Sequence, residues 1–179
     1  MDISRRKLSA LLALGPAYIT TPRHGYASEY QEITWDQLIP KDWQPERSLS
    51  MLVKRTGLLD DSDPAVIRLM EKIREVWDRS PTISELNGKK IRIAGYAVPL
   101  DTTPEVTKSM LLVPYFGACV HSPPPPANQI IFGQSLKPLR VEMMSAVWLN
   151  GTLKTVSKKT DMGVSGYQLD IAKIEAYRD

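Results

Sequence analysis

The sequence predicts a mainly β fold with a helical N-terminal portion, built as a small, partly open β-barrel of the oligonucleotide/oligosaccharide-binding (OB) type. Three observations predict it. Apolar residues between Asp63 and Pro81 recur at helical spacing, and the repeat stops there. Beyond Asn87-Gly88 the period changes to alternation, and about five strand-like segments follow. Two of them, Ile91 to Gly95 and Val147 to Gly151, read apolar, any, apolar, any, glycine. A glycine inside a strand marks a bulge that lets a sheet curl toward closure.

Residues 1–27 read as a leader rather than as part of that fold. Ser4-Arg5-Arg6-Lys7-Leu8 resembles a twin-arginine address, and Leu8 to Leu14 is a short apolar run. Gly25 and Ala27 are spaced as a signal peptidase prefers, which puts cleavage between Ala27 and Ser28 and the mature protein in the periplasm. An amphipathic N-terminal helix is the competing reading, and Gly15-Pro16 and Thr21-Pro22 would interrupt it early. No later segment approaches the ~18 consecutive apolar residues of a membrane span. The leader carries four of the 23 basic and one of the 20 acidic residues, which leaves 19 of each and a formal net charge of zero. A nucleic-acid partner therefore has no electrostatic footprint on the mature chain.

Residues 28–82 are expected to form a helical lead-in packed on a β body at 83–179, the two making one structural domain. Thr34 and Gln37 stand at capping-box spacing around Trp35, which predicts a short helix. Asp63-Pro64 supplies an N-cap followed by proline at the first helical position. Val66, Met70, Ile73 and Trp77, widened by Leu69 and Val76, form the stripe expected to face the core, and Ser80-Pro81 ends the helix. Further strands are expected at Met110 to Val113, Gln129 to Phe132, Val141 to Val156 and Tyr167 to Ile171. The third of these reads as one long bent strand rather than a hairpin at Asn150-Gly151. Trp77 and Trp148 fall on apolar periodic patterns and are expected in the core.

Cys119 is the only cysteine, so an oxidising compartment supplies no intramolecular disulfide. His24 leaves with the leader, which makes His121 the mature chain's only histidine. Both stand in Pro114-Tyr115-Phe116-Gly117-Ala118-Cys119-Val120-His121-Ser122-Pro123-Pro124-Pro125-Pro126-Ala127-Asn128-Gln129, which is unlike ordinary loop or core. This segment, with Trp35 to Pro40 and Leu86 to Leu100, resembles the bacterial exported proteins of domain of unknown function 3299. Those share the signature Pro-Tyr-Phe-Gly-Ala-Cys-x-His-x-Pro-Pro-Pro-Pro-x-Asn-Gln. The resemblance covers nearly all of the mature chain and implies no established reaction. It implies a link to metal supply, because some members are encoded beside transport-like genes that respond to zinc shortage. The matching residues able to serve such a link are Cys119 and His121.

Residues at i and i+2 of an extended segment point the same way, so the Cys119 sulfur and a His121 ring nitrogen can approach one cation. Zinc takes thiolate at ~2.3 Å and imidazole at ~2.0 Å, and a structural site closes with four ligands. Completion would come from Asp101 or Glu105, a water, or a second chain. Copper(I) also accepts the pair, with Met110, Met143 or Met144 as soft partners. The alternative is that Cys119 is a small buried hydrophobe and His121 hydrogen-bonds the proline loop. A Cys-His nucleophilic pair would lack an identifiable orienting group. Pro123, Pro124, Pro125 and Pro126 read as a polyproline II strut, rising ~3.1 Å per residue. The strut either braces the Cys119 loop or offers a face to a partner with an aromatic groove.

Two functions follow. One is a periplasmic zinc (or copper) binding accessory protein in metal traffic, serving a transporter or another periplasmic protein through Cys119 and His121. The other is a metal-free binding module that uses a barrel groove and the Pro123 to Pro126 face. Enzyme chemistry comes third: no glycine-rich phosphate loop or histidine-rich metal motif is present, and Asp60-Asp61 prepare the helix that follows.

Overall fold

A computed structural model of the protein describes residues 29–44, 63–101, 106–118 and 125–178. The proposed cleavage site at Ala27 and Ser28 lies outside the described residues. Ahead of the barrel, the described residues form a two-residue strand β1 (Gln31–Glu32), a 3-10 turn at Trp35–Leu38, helix α1 (Pro64–Asp78) and a second 3-10 turn at Ser84–Leu86. The capping expectations hold in both helical pieces. Thr34 N–H donates to Gln37 Oε1 at 2.9 Å, and Asp63 Oδ1 accepts from Ala65 N–H at 2.7 Å with Pro64 opening the helix.

The stripe on α1 is narrower than its sequence suggests. Val66, Leu69 and Ile73 are buried, and Trp77 packs half-buried against the last two. Met70 and Val76, expected in the stripe, are 50% and 38% exposed. At about 100° per residue they fall on either flank of the buried strip. The helix packs along that strip alone, so both flanks meet solvent.

The body is a barrel of five strands: β2 (Lys90–Pro99), β3 (Thr107–Val113), β4 (Ile131–Leu139), β5 (Ser145–Lys154) and β8 (Tyr167–Ala176). A small hairpin, β6 (Lys158–Thr160) and β7 (Gly163–Ser165), stands between the last two. The ring runs β2-β3-β4-β8-β5 and returns to β2. Its pairings are antiparallel except β4 with β8. In chain order the barrel strands stand first, second, third, fifth, fourth, the OB arrangement. The barrel is closed rather than partly open because β2 pairs twice, through Lys90 to Ala97 with β5 and through Tyr96 to Pro99 with β3.

The two glycines expected to bend strands do different things. The β5–β8 register shifts between Asn150 and Gly151, where a Cβ on Gly151 would land on the Asp170 carbonyl. One long bent strand is therefore what forms. Gly95 carries no bulge, since the β2–β5 ladder passes through it in register. Its missing side chain instead admits Trp35, whose ring would lie 2.9 Å from a Cβ there, with Leu112 at 2.8 Å. The Trp35 indole N–H donates to the Ala94 carbonyl at 2.7 Å, which seats the lead-in on the barrel.

Alternation along the strands sends Ile91, Ile93, Ala97, Met110, Leu112, Ile131, Val147, Leu149, Leu153 and Leu169 into the interior. Ile33 and Leu38 join that core from the lead-in. Tyr167, fully buried, ties it together: its hydroxyl accepts from Ile83 N–H at 2.7 Å and donates to the Leu38 carbonyl at 2.9 Å. Trp148, expected in the core, is on the outer face. Val147 and Leu149 take the inward positions of β5, so the residue between them points out. There it carries the Arg92 guanidinium of β2 3.9 Å from its ring centroid and stacks at 5.5 Å with Tyr177, the residue just past β8.

Candidate functional site

An OB barrel customarily binds along the outer face of its second and third strands. Here that face is occupied by the chain itself. Val98, Leu111, Val113, Ala118, Ile130 and Phe132 form a second buried cluster, with Tyr96, Leu100, Met144 and Met162 packed at its rim. Ala118 comes from the loop after β3 and Met162 from the β6–β7 hairpin. The Lys158 ammonium sits 4.6 Å from the Phe132 ring centroid.

The loop between β3 and β4 holds the sequence-predicted site, and the structure describes its two stems. Cys119, His121, Pro123 and Pro124 lie outside the described residues, as does Glu105. On the N-terminal stem, Tyr115 to Ala118 make a turn with Gly117 at φ 85°, closed by Ala118 N–H donating to the Tyr115 carbonyl. A positive φ at the third turn position is the reason for glycine there. Phe116 stands at the apex, 68% exposed, with its ring edge-on to Tyr96 at 5.8 Å. Ala118, one residue before Cys119, is fully buried.

On the C-terminal stem, Pro125 is buried and Pro126 half-buried. Pro126 has φ −54° and ψ 149°, close to polyproline II, and leads into a 3-10 turn at Ala127–Gln129 where the sequence suggested a strand. β4 begins only at Ile131, because Asn128 and Gln129 direct their hydrogen bonds sideways rather than into the ladder. Asn128 N–H donates to Ser80 Oγ at 2.8 Å and Asn128 Nδ2 to the Pro81 carbonyl at 3.1 Å. Gln129 Nε2 donates to the Trp35 carbonyl at 3.0 Å and to the Asn128 carbonyl at 3.1 Å. Gly166 N–H donates to the Ala127 carbonyl at 2.6 Å. The sequence places the start of this strand at Gln129. The signal that marks Asn128 and Gln129 otherwise is two adjacent amides one residue past a proline run, which favour local turns over ladders.

The residues considered as additional ligands fare differently. Asp101 is fully engaged within its own loop, accepting from Thr107 Oγ1 at 2.7 Å and Lys108 N–H at 2.6 Å, with Ser109 Oγ at 3.3 Å. The Thr107 and Lys108 bonds hold its carboxyl below the ordinary range. Met110 is sealed in the barrel interior. Met143 is 56% exposed, and Met144 lies at φ 60° on the rim of the cluster that includes Ala118. Among the described residues no three His, Cys, Asp or Glu side chains gather as a metal group. Nor is any helix among them long and apolar enough to cross a membrane.

Comparison with known proteins places the chain. The family model described as "Protein of unknown function (DUF3299)" matches residues 35–176. The crystal structure of a DUF3299 family protein from Pseudomonas aeruginosa PAO1 superposes with a TM-score of 0.63 at 27% identity, over 84% of this chain and 97% of that one. A structure described as an aspartyl-tRNA synthetase from Leishmania major Friedlin aligns over 73% of this chain and 26% of its own at 13% identity. Its TM-score of 0.34 carries no argument. No curated protein matches the chain.

Proposed function

The chain belongs to the DUF3299 family, and from that premise we propose that it is an exported periplasmic accessory protein in metal traffic, with Cys119 and His121 as ligands for zinc or copper. The observation that supports the reading most is the double anchoring of their loop. The residues that flank it, Ala118 before and Pro125 after, are both buried. A ligand pair held between anchored ends loses less conformational entropy on binding than the same pair on a free loop. The donor set fits: thiolate and imidazole suit both zinc and copper(I). With Met110 enclosed and Asp101 engaged by Thr107 and Lys108, the remaining ligands are Glu105, water, Met143 or Met144, or the same two residues of a second chain. Export rests on the twin-arginine leader at Ser4 to Leu8.

The test is elemental analysis of the mature protein, exported through its own leader and purified without chelator or affinity metal, beside a Cys119→Ser, His121→Ala double variant. Near-stoichiometric zinc or copper in the native protein, lost in a variant that still folds, is the expected result. No metal in either sinks the reading. The exposure of Phe116 (68%) and Tyr115 (47%) beside the loop then favours a metal-free module that docks a periplasmic protein.

A further inference from the structure

One flank of α1 stays outside the core, and between it and Trp43 lies a cavity of about 350 Å³ walled by Trp43, Lys72, Glu75, Val76 and Arg79. A turn closed by Trp43 N–H donating to the Pro40 carbonyl at 3.0 Å holds the first wall. The other four residues stand at i, i+3, i+4 and i+7, one face of the helix, with Arg79 as its C-cap. Trp43 and Val76 supply apolar surface, and the remaining three supply charge. On an ordinary helix surface Glu75 would pair with Lys72 three residues before it or with Arg79 four residues after it. Neither pair forms, and none of the three side chains has an ion-pair or hydrogen-bond partner among the described residues.

Two cations, one carboxylate and two apolar walls narrow the ligand. A bare anion would meet Glu75, a bare amine would meet Lys72 and Arg79, and one carboxylate is too few donors for a metal ion. The volume is at the low end for small-molecule sites, too small for a dinucleotide. We infer that this cavity is a binding site for a free amino acid with a large apolar side chain. The Arg79 fork takes the carboxylate, with Lys72 adding to the positive potential there. Glu75, one turn away, accepts from the ammonium, and the side chain lies against Trp43 and Val76. The site owes nothing to the Cys119 loop, so it goes beyond the metal reading rather than resting on it.

The test is heteronuclear NMR of the mature protein at low salt, read at the indole N–H signals of its four tryptophans, with Trp43 assigned by its loss in Trp43→Phe. L-Phenylalanine is expected to move the Trp43 signal and leave those of Trp35 and Trp148 in place, with a Kd on the order of 1 mM. Phenethylamine, which lacks the carboxylate, and N-acetylphenylalanine, which lacks the ammonium, should each bind about fivefold more weakly, the upper end for an exposed ion pair. Arg79→Gln should weaken phenylalanine to the same extent and leave phenethylamine unchanged, and Glu75→Gln should do the same for phenylalanine and N-acetylphenylalanine. The Arg79 and Glu75 side chains are exposed, so these substitutions spare the core. A Trp43 signal unmoved by phenylalanine at about 20 mM overturns the inference. So do variants that weaken all three compounds equally. The Cys119→Ser, His121→Ala variant should bind phenylalanine as the native protein does, so the metal reading and this one fail separately.

Discussion

Replacing Tyr167 by phenylalanine removes one oxygen from the centre of the molecule and tests how the lead-in is held. That hydroxyl accepts from Ile83 N–H and donates to the Leu38 carbonyl, at 2.7 and 2.9 Å. Leu38 and Tyr167 are both fully buried, so water cannot replace the lost partner at the Leu38 carbonyl. The ring is retained and no cavity of consequence opens. The loss is therefore two hydrogen bonds at about 1 kcal/mol each, with a further penalty for the stranded carbonyl, or about 2–4 kcal/mol in all. Urea denaturation followed by circular dichroism should show a midpoint lower by about 1–2 M with an unchanged slope. A loss below about 1 kcal/mol would refute the view that this hydroxyl is the bolt between lead-in and barrel. The pH dependence supplies a second check. Burial raises the Tyr167 phenol, outweighing the opposing Ile83 bond. A folded-state value above the unfolded one means that the folded protein holds the proton longer. Stability is thus complete below about pH 10 and falls as pH rises from there through the folded-state value. Tyr167→Phe should lack that part of the alkaline loss.

Two glycine substitutions separate space from conformation, and two arginines test the leader. Gly151→Ala would drive a methyl group into the Asp170 backbone at the bulge, so thermal unfolding should show a loss of at least about 3 kcal/mol. Gly117→Ala meets no atom within 4 Å but must adopt φ 85°, which limits its cost to about 1–2 kcal/mol. The reverse order would contradict the bulge geometry. An Arg5→Lys, Arg6→Lys variant should remain in the cytoplasm with its leader uncleaved, and the native protein should be recovered from the periplasm beginning at Ser28. Export of the twin-lysine variant would reject the twin-arginine reading.

Local rules made much of the fold legible. Asp63 and Pro64 start α1 where capping chemistry requires, and alternation along Lys90 to Pro99 gives the correct inward set on β2. The bend at Gly151 was legible because a glycine within an apolar strand often marks a bulge. Trp148 was misread because its apolar neighbours hide a period-2 alternation, and an outward tryptophan covered by Arg92 and Tyr177 looks the same in sequence as an inward one. Gly95 was misread for a similar reason. A bulge and a close approach both call for a missing Cβ, and only the position of Trp35 distinguishes them.

By itself the sequence determined the order of the elements, the ends of the helix, the curled β body and the placement of the lone cysteine and of His121 beside a proline run. Each depends on neighbours within a few residues, through capping, alternation or backbone stiffness. Tertiary structure alone decided that the ring closes, that the outer OB face is filled by the chain itself and that Met110 is enclosed. It alone decided, too, that Asn128, Gln129 and Tyr167 bind the lead-in to the barrel. Those contacts join residues between 47 and 129 positions apart, so no local pattern encodes them and packing of the whole chain selects them.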